Sequence, residues 1–260
     1  MAFTFISGAT GGIGSAFAKE CAKKGYDLFL TGRDQQKLLL LKNELKSFNV
    51  KIYCSACDLT SETSRKQLID YIEDNDIIFD RIINVAGVDT QKGFLEYTLE
   101  KVLFQLRVNV EGTIALTHQL LQKREKSLEI ITISSMSGAT PMPYFALYSA
   151  SKSMLASFFI SLHYELKKKG VKVTVVMPGG VPTRPDIIKD IQGQGIWGKL
   201  SKKSPQFVAK KSLEKVKKNK LRYIPGFFNK LLYFTIKIAP KRIVYSVIAK
   251  RWSKISKDAF

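Results

Sequence analysis

The stretch Phe3-Thr4-Phe5-Ile6-Ser7-Gly8-Ala9-Thr10-Gly11-Gly12-Ile13-Gly14 decides how the rest of the chain is read. Its first five residues form a short apolar run with strand character, and a glycine-rich turn comes directly after them. Residues 15–24 then carry helical spacing, with Ile13, Phe17, Ala18 and Cys21 on one face. A glycine-rich turn between a strand and a helix lets the backbone approach a pyrophosphate closely. It also sets that charge at a helix N-terminus. The spacing Gly8-x-x-x-Gly12-x-Gly14 differs from the usual dinucleotide fingerprint, and a plain glycine-rich connection has the same composition. The turn therefore takes its meaning from the residues beyond it.

Beyond Gly14 the chain alternates strands with helices. Residues 26–31 read as a second strand, ending in Gly32-Arg33-Asp34. At that strand end in a dinucleotide fold, an acidic residue binds the ribose 2′-hydroxyl and repels a 2′-phosphate. Here Gly32 opens space and Arg33 offers a guanidinium suited to phosphate, which favours NADP(H). Asp34 suits the N-cap of a helix over 35–48. Residues 50–57 read as a third strand, closed by Asp58-Leu59, where Asp58 reaches an adenine amino group or else starts a turn. A polar-faced helix over 61–73 precedes a buried strand over 81–85, which ends in Asn84-Val85-Ala86-Gly87. Small residues there let the chain pass beneath a cofactor.

Residues 95–123 are expected to form one long helix with Leu99, Val102, Leu103, Leu106, Val110 and Ile114 in a stripe. Asn109 interrupts that stripe, either as a satisfied structural amide or as an opening for a water. A fifth strand over 128–134 leads to Ser135, and a loop over 136–147 leads to a helix over 148–169. A sixth strand, 171–177, precedes Pro178-Gly179-Gly180-Val181-Pro182-Thr183. This order predicts right-handed βαβ units: a doubly wound parallel sheet with helices on both faces. Ligands on such sheets bind at the carboxyl ends of the strands, where all of these motifs fall.

The chemistry concentrates in Tyr148-Ser149-Ala150-Ser151-Lys152, with Ser135 upstream. Tyr148 and Lys152 are four residues apart and share one helix face. An ammonium beside a phenol is expected to pull its pKa below the ordinary value of about 10, making it a usable proton donor and acceptor. A hydroxyl at Ser135 converging on the same point would hold a substrate oxygen. The pair taken alone would equally suit an amphipathic, solvated helix.

Together these stretches resemble the short-chain dehydrogenase/reductase family over residues 3–183. Gly8–Gly14 resembles its cofactor loop, and Asn84-Val85-Ala86-Gly87 its Asn-Asn-Ala-Gly sequence, with Val85 a departure at the second position. Asn109, Ser135, Tyr148 and Lys152 match its catalytic tetrad in order and spacing. The resemblance implies that Tyr148 is the general acid in ketone reduction and that Ser135 bonds the carbonyl. It implies that Lys152 binds the nicotinamide ribose and lowers the Tyr148 pKa, while Asn109 holds a water linked to Lys152. It places Gly8, Thr10, Gly11, Gly12, Ile13, Gly14, Arg33, Asp58, Leu59, Asn84, Ala86, Gly87, Tyr148 and Lys152 around the cofactor. Pro178, Gly179, Val181 and Thr183 complete that set, Thr183 at the carboxamide. A homodimer or homotetramer built on the helices carrying Asn109 and Tyr148 is expected on the same ground. Ser137 and Tyr144 are candidates for the substrate loop only.

Composition adds a second theme. The formal net charge of the 260 residues is +20, yet residues 198–260 hold 18 Lys/Arg against 2 Asp/Glu, which leaves only +4 for the first 197. The surplus belongs to a tail. Residues 184–200, irregular and rich in glycine, with Ile196 and Trp197, are expected to form a mobile cover over an apolar substrate. A helix over 205–218 and a short strand over 221–225 close a catalytic domain at 225. From 226 to 260, Phe227, Phe228, Leu231, Leu232, Phe234, Ile236 and Ile238 alternate with Lys230 and Lys237. Ile243, Val244, Val247, Ile248 and Trp252 alternate with Lys241, Arg242, Lys250, Arg251 and Lys254. Two basic amphipathic helices of this kind suit an anionic membrane surface, or packing on the domain or a second subunit. Too much apolar surface is interleaved for nucleic acid. The tail loosely resembles those of long-chain 3-ketoacyl and hydroxysteroid reductases.

The three cysteines, Cys21, Cys54 and Cys57, read as free thiols of a reducing compartment, and no metal site is expected. With no basic leader and no run of about 20 apolar residues, the expected location is cytoplasmic, with peripheral membrane attachment through the tail. The expected activity is NADPH-dependent reduction of a lipophilic ketone. The competing readings are an NAD-dependent dehydrogenase of a small polar alcohol or sugar, and a non-catalytic cofactor-binding scaffold at a membrane.

Overall fold

The computed structural model describes residues 2–253. Lys254, the last cation of the expected tail pattern, lies outside them. Seven strands form one parallel sheet in the order β3-β2-β1-β4-β5-β6-β7: β1 Ala2–Ser7, β2 Leu28–Gly32, β3 Ile52–Ala56, β4 Ile78–Asn84, β5 Arg124–Ile133, β6 Val171–Val176 and β7 Arg222–Tyr223. The central strands read as near-continuous apolar runs because both of their faces are covered. One core gathers Phe5, Phe29, Phe79, Phe159 and Val173; the other gathers Ile6, Phe17, Leu30, Ile83 and Val208. Alternate residues of one strand thus feed opposite cores, as the two-residue period requires.

The helices around the sheet are α1 Gly12–Ala22, α2 Gln35–Leu45, α3 Glu62–Asp74, α4 Leu99–Leu106, α5 Gly112–Leu120, α6 Ala146–Leu166, α7 Pro185–Gly193, α8 Gly195–Ser201 and α9 Pro205–Lys217. Asp34, Ser61, Thr98 and Ser204 each cap a helix by accepting a backbone N–H from its first turn. The tail adds α10 Phe227–Ile238 and α11 Lys241–Trp252.

Three expectations are corrected. The single helix over 95–123 is two helices, α4 and α5, joined by a π-helical turn at Arg107–Glu111. Its leucine stripe faces outward, with Leu99 72%, Leu103 40% and Leu106 37% exposed, while Asn109 is fully buried. The extra residue of a π turn shifts the register between the two halves, so one apolar stripe does not run through. The glycine-rich segment 184–200 is helical, as α7 and α8, and not irregular. Gly195, at φ +59°, makes the corner, and Gly198 serves close packing, since a Cβ there would lie 1.9 Å from the Ile191 carbonyl oxygen. The strand expected over 221–225 shrinks to Arg222–Tyr223.

Candidate active site

The strand order reverses between β1 and β4, and the chain leaves these two strands in opposite directions there. A cleft opens at that point, lined by Gly8, Gly32, Arg33, Asp58, Leu59, Ala86, Gly87 and Val88, with Ser7, Thr31, Cys57 and Val108. The turn after β1 is tight: a Cβ on Gly14 would lie 2.1 Å from the Gly8 carbonyl oxygen. Ala9 N–H donates to Thr31 O at 3.0 Å and Gly11 N–H to Gly8 O at 3.1 Å, which holds the loop against β2, while Ile13 packs on the core beneath. Gly11 caps α1 without a side-chain bond, so no side chain occupies the N–H groups of the first turn. This cradle fits the pyrophosphate of a dinucleotide: bare backbone, a helix N-terminus, and no anion of its own.

Around it stand the other expected binding residues. Thr10 lies beside Gly32, and a Cβ on that glycine would sit 3.3 Å from the Thr10 Oγ1. Arg33 is exposed at the cleft edge, its guanidinium 5.9 Å from the Phe104 ring centre. Asp58 does start a turn: its Oδ1 accepts from the Thr60 N–H and hydroxyl, each at 2.9 Å. Leu59 is buried beside it. Thr183 packs against the phosphate turn, since a Cβ on Gly12 would lie 2.8 Å from its side chain. Pro178 O accepts from Met136 N–H at 2.9 Å and ties its segment to the turn after Ser135. Gly179 abuts Asn229 of α10, and Val181 is buried in the core.

Asn84 is tied into the sheet by its side-chain amide. Its Nδ2 donates to Thr117 Oγ1 at 3.1 Å and Thr132 Oγ1 at 3.4 Å, so the side chain struts β4 against α5 and β5.

The four expected catalytic residues converge. Lys152 and Asn109 both flank Gly87, whose Cβ would lie 3.0 Å from Lys152 Nζ and 3.4 Å from Asn109 Oδ1. Asn109 is a satisfied amide: Oδ1 accepts from Val88 N–H at 2.7 Å, and Nδ2 donates to Val88 O at 2.9 Å and Ser151 Oγ at 3.2 Å. It thereby clamps the chain leaving β4 to the catalytic helix α6, and it does so from the π turn. Lys152, 3% exposed, donates to Ile133 O at 2.9 Å, while its own carbonyl accepts from Ser134 Oγ at 2.7 Å. Ser135 Oγ accepts from Ser137 N–H at 3.1 Å and lies near enough to the Tyr148 phenol to lower its pKa.

The electrostatics depart from expectation. Burial pushes the Tyr148 phenol above its ordinary range, and nearby Asp89 pushes it further; the Ser135 bond and Arg184 pull it down. Lys152 is not among the groups that lower it; its ammonium lies 5.7 Å from the Tyr148 ring centre. Burial drives Lys152 itself down to about 8, against the opposing pull of Asp89. Desolvation outweighs pairing for both groups in this protein. Tyr148 therefore holds its proton at neutral pH as a donor, and Lys152 titrates close to neutrality.

Four residues around the phenol escape the sequence patterns. Asp89 and Arg184 form an ion pair at 3.2 Å, and Arg184 also bonds Asp186 at 3.2 Å. Charged residues flanking Gly87 and Thr183 were their only signal. Phe145 stacks on Tyr148 at 4.5 Å between ring centres, and Trp252 of α11 stacks on Phe145 at 6.3 Å. Nothing in the local sequence brings residue 252 to residue 145. Tyr144, just before, holds φ +63°, a left-handed conformation costly for a bulky residue, where the loop turns into α6.

Residues 2–189 match the family model described as short chain dehydrogenase. An uncharacterized oxidoreductase of Staphylococcus saprophyticus is 29% identical over 211 residues, covering 80% of this chain and 88% of that protein. A very-long-chain 3-oxoacyl-CoA reductase of Neurospora crassa is 33% identical over 181 residues, 66% of this chain and 54% of that protein. Among solved structures, a 7beta-hydroxysteroid dehydrogenase superposes with a TM-score of 0.84 at 22% identity, covering 98% of this chain and 97% of that one.

Proposed function

The chain belongs to the short-chain dehydrogenase/reductase family, and from that premise we propose that it reduces a lipophilic ketone with NADPH. The observation that carries this reading is the convergence of Tyr148, Ser135 and Lys152 at the open end of a dinucleotide cradle. Bound there, the nicotinamide cofactor supplies the hydride. The phosphate turn Gly8–Gly14, with Asp58, Leu59, Ala86 and Gly87, would hold its adenosine half. Lys152, Pro178, Gly179, Val181 and Thr183 would hold the nicotinamide half. Arg33, exposed at the ribose end with no acidic neighbour in its turn before Asp34, favours a 2′-phosphate.

The chain's own residues then divide the proton work. Ser135 donates a hydrogen bond to the carbonyl oxygen and shares the charge developing there. Tyr148 gives its proton to that oxygen; burial keeps the phenol protonated until then and makes it a weaker acid than a free tyrosine. Lys152, positively charged below about pH 8, would hold the nicotinamide ribose beside the phenol. Asn109 keeps the chain leaving β4 in register with α6 and so positions Lys152.

Two features favour a lipophilic substrate. Aromatic rings flank the phenol, and Ile196 and Trp197 stand exposed on α8, part of the segment expected to cover the substrate. The Neurospora crassa relative bears the name of a 3-oxoacyl reductase. A cytoplasmic protein in contact with membranes, working as a dimer through the outward leucines of α4, belongs to the same reading. Purified protein should consume NADPH with long-chain or steroid-like ketones. Tyr148→Phe should lower kcat by at least about a thousandfold while leaving NADPH binding unchanged, as expected for a group acting only in the transition state. Retained turnover in that variant would overturn the assignment.

A further inference from the structure

The tail helices present two different faces. On α10, Asn229 and Tyr233 are buried against the body: Asn229 Nδ2 donates to Pro225 O at 2.7 Å and Ser201 O at 2.9 Å, and Tyr233 accepts from Arg222 at 2.8 Å. The opposite side carries Phe227 82%, Leu231 55%, Phe234 61% and Ile238 84% exposed. At 100° per residue these four fall within one narrow stripe. Lys230 and Lys237 run along its edge. Beside it, Trp197 of α8 contacts Phe228 of α10 at 5.4 Å and remains 53% exposed. On α11, Trp252 turns inward onto Phe145, while Ile243 and Val247, each 61% exposed, stand outward among Arg242, Lys250 and Arg251. No acidic residue occurs between 226 and 253.

We propose that α10 and α11 form a docking face for an anionic lipid bilayer and bring the Tyr148 cleft to the membrane surface. An apolar stripe edged by cations and free of anions matches a surface whose headgroups are negative and whose interior is hydrocarbon. A second copy is a poorer occupant, since two such faces would set like charges against each other. The inner side of the same two-helix unit reaches the catalytic phenol through Trp252 and Phe145. A carbonyl compound leaving the bilayer therefore has a short apolar route to Ser135 and Tyr148. That route rests on the reductase reading, whereas the docking does not.

The test uses full-length protein with vesicles of phosphatidylcholine alone or with phosphatidylglycerol. The two tryptophans, Trp197 and Trp252, both belong to this region and report on it directly. Anionic vesicles should sediment the protein and shift its tryptophan emission to the blue, and high salt should weaken both effects. Leu231→Glu/Phe234→Glu should reduce vesicle binding about tenfold or more, with circular dichroism and turnover of a short water-soluble ketone unchanged. Lys230→Glu/Lys237→Glu should abolish the preference for anionic lipid. Equal binding to both vesicle types, or wild-type binding by the Leu231/Phe234 variant, would overturn the proposal. So would a concentration-dependent dimer broken by that variant, which would assign the face to a second copy. Vesicle binding is read without turnover, so an inactive preparation counts against the reductase reading alone.

Discussion

At the scale of single residues, burial sets the chemistry. Lys152 is a lysine whose solvation has been removed, so its ammonium gives up its proton near pH 8 and not near 10.5. A depressed base is charged below its shifted pKa. The cation beside the phenol is therefore present below about pH 8 and is lost above it. The kcat/KM for ketone reduction, which reports the free enzyme, should be level below about 8 and decline above. Lys152→Arg, charged throughout, should be slower but should lack that decline; a decline persisting in this variant would move the titration elsewhere. For stability, the cost of burying this ammonium is full below about pH 8 and fades as pH rises toward 10.5. The proposed preference for NADPH rests on Arg33. Arg33→Ala should weaken NADPH binding by about 1–3 kcal/mol, the worth of a charge-assisted bond, and leave NADH nearly unaffected. Isothermal titration with each cofactor checks it, and equal wild-type affinities would remove the argument.

At the scale of elements, the site is held from behind. The π turn at Arg107–Glu111 lets Asn109 face inward while the leucines of α4 face out, and the Asn109 amide then bonds Val88 as a strand partner would. Far from the cleft, Arg81 ties three strands together. It donates to Glu129 Oε2 through Nε at 2.9 Å and Nη2 at 2.7 Å, and to Thr4 Oγ1 at 3.0 Å. The Tyr26 ring lies 4.3 Å from its guanidinium carbon. The pair is nearly enclosed, with side chains 6% and 13% exposed. Glu129→Ala leaves a buried guanidinium without its partner, which costs about 3–5 kcal/mol. Urea denaturation should show that loss, with NADPH affinity unchanged in the folded fraction; a change under about 1 kcal/mol would place the pair with exposed ones.

At the scale of the whole molecule, two of the apolar surfaces left uncovered among the described residues lie on helices. One is the tail; the other is the face of Leu99, Leu103 and Leu106, with Met154 and Tyr164 exposed on neighbouring α6. Exposed leucines in register on packed helices are where the proposed dimer contact would lie. Leu103→Glu should convert a dimer to monomers in sedimentation velocity with little change in thermal stability of the subunit. An unaltered dimer would place the contact elsewhere.

The sequence by itself determined the parallel sheet, because alternating strand and helix patterns with glycine at the first crossover admit few other arrangements. It also pointed to the glycine turn after β1, Ser135 after β5 and Thr183 after β6 as candidates for one site, since ligands on such sheets bind at the carboxyl ends of the strands. Tertiary structure alone decided three matters. Desolvation is a sum over neighbours distant in sequence, so Tyr148 rises and Lys152 falls although their spacing suggests the reverse for the phenol. The side of α4 that is buried depends on a π turn that no periodicity announces, and its leucines point outward for that reason. Gly198 looks like flexibility in a linear reading, yet α7 passes it too closely for a side chain, a Cβ there lying 1.9 Å from the Ile191 carbonyl oxygen. Each depends on what lies across space from a residue, and local pattern carries no record of that.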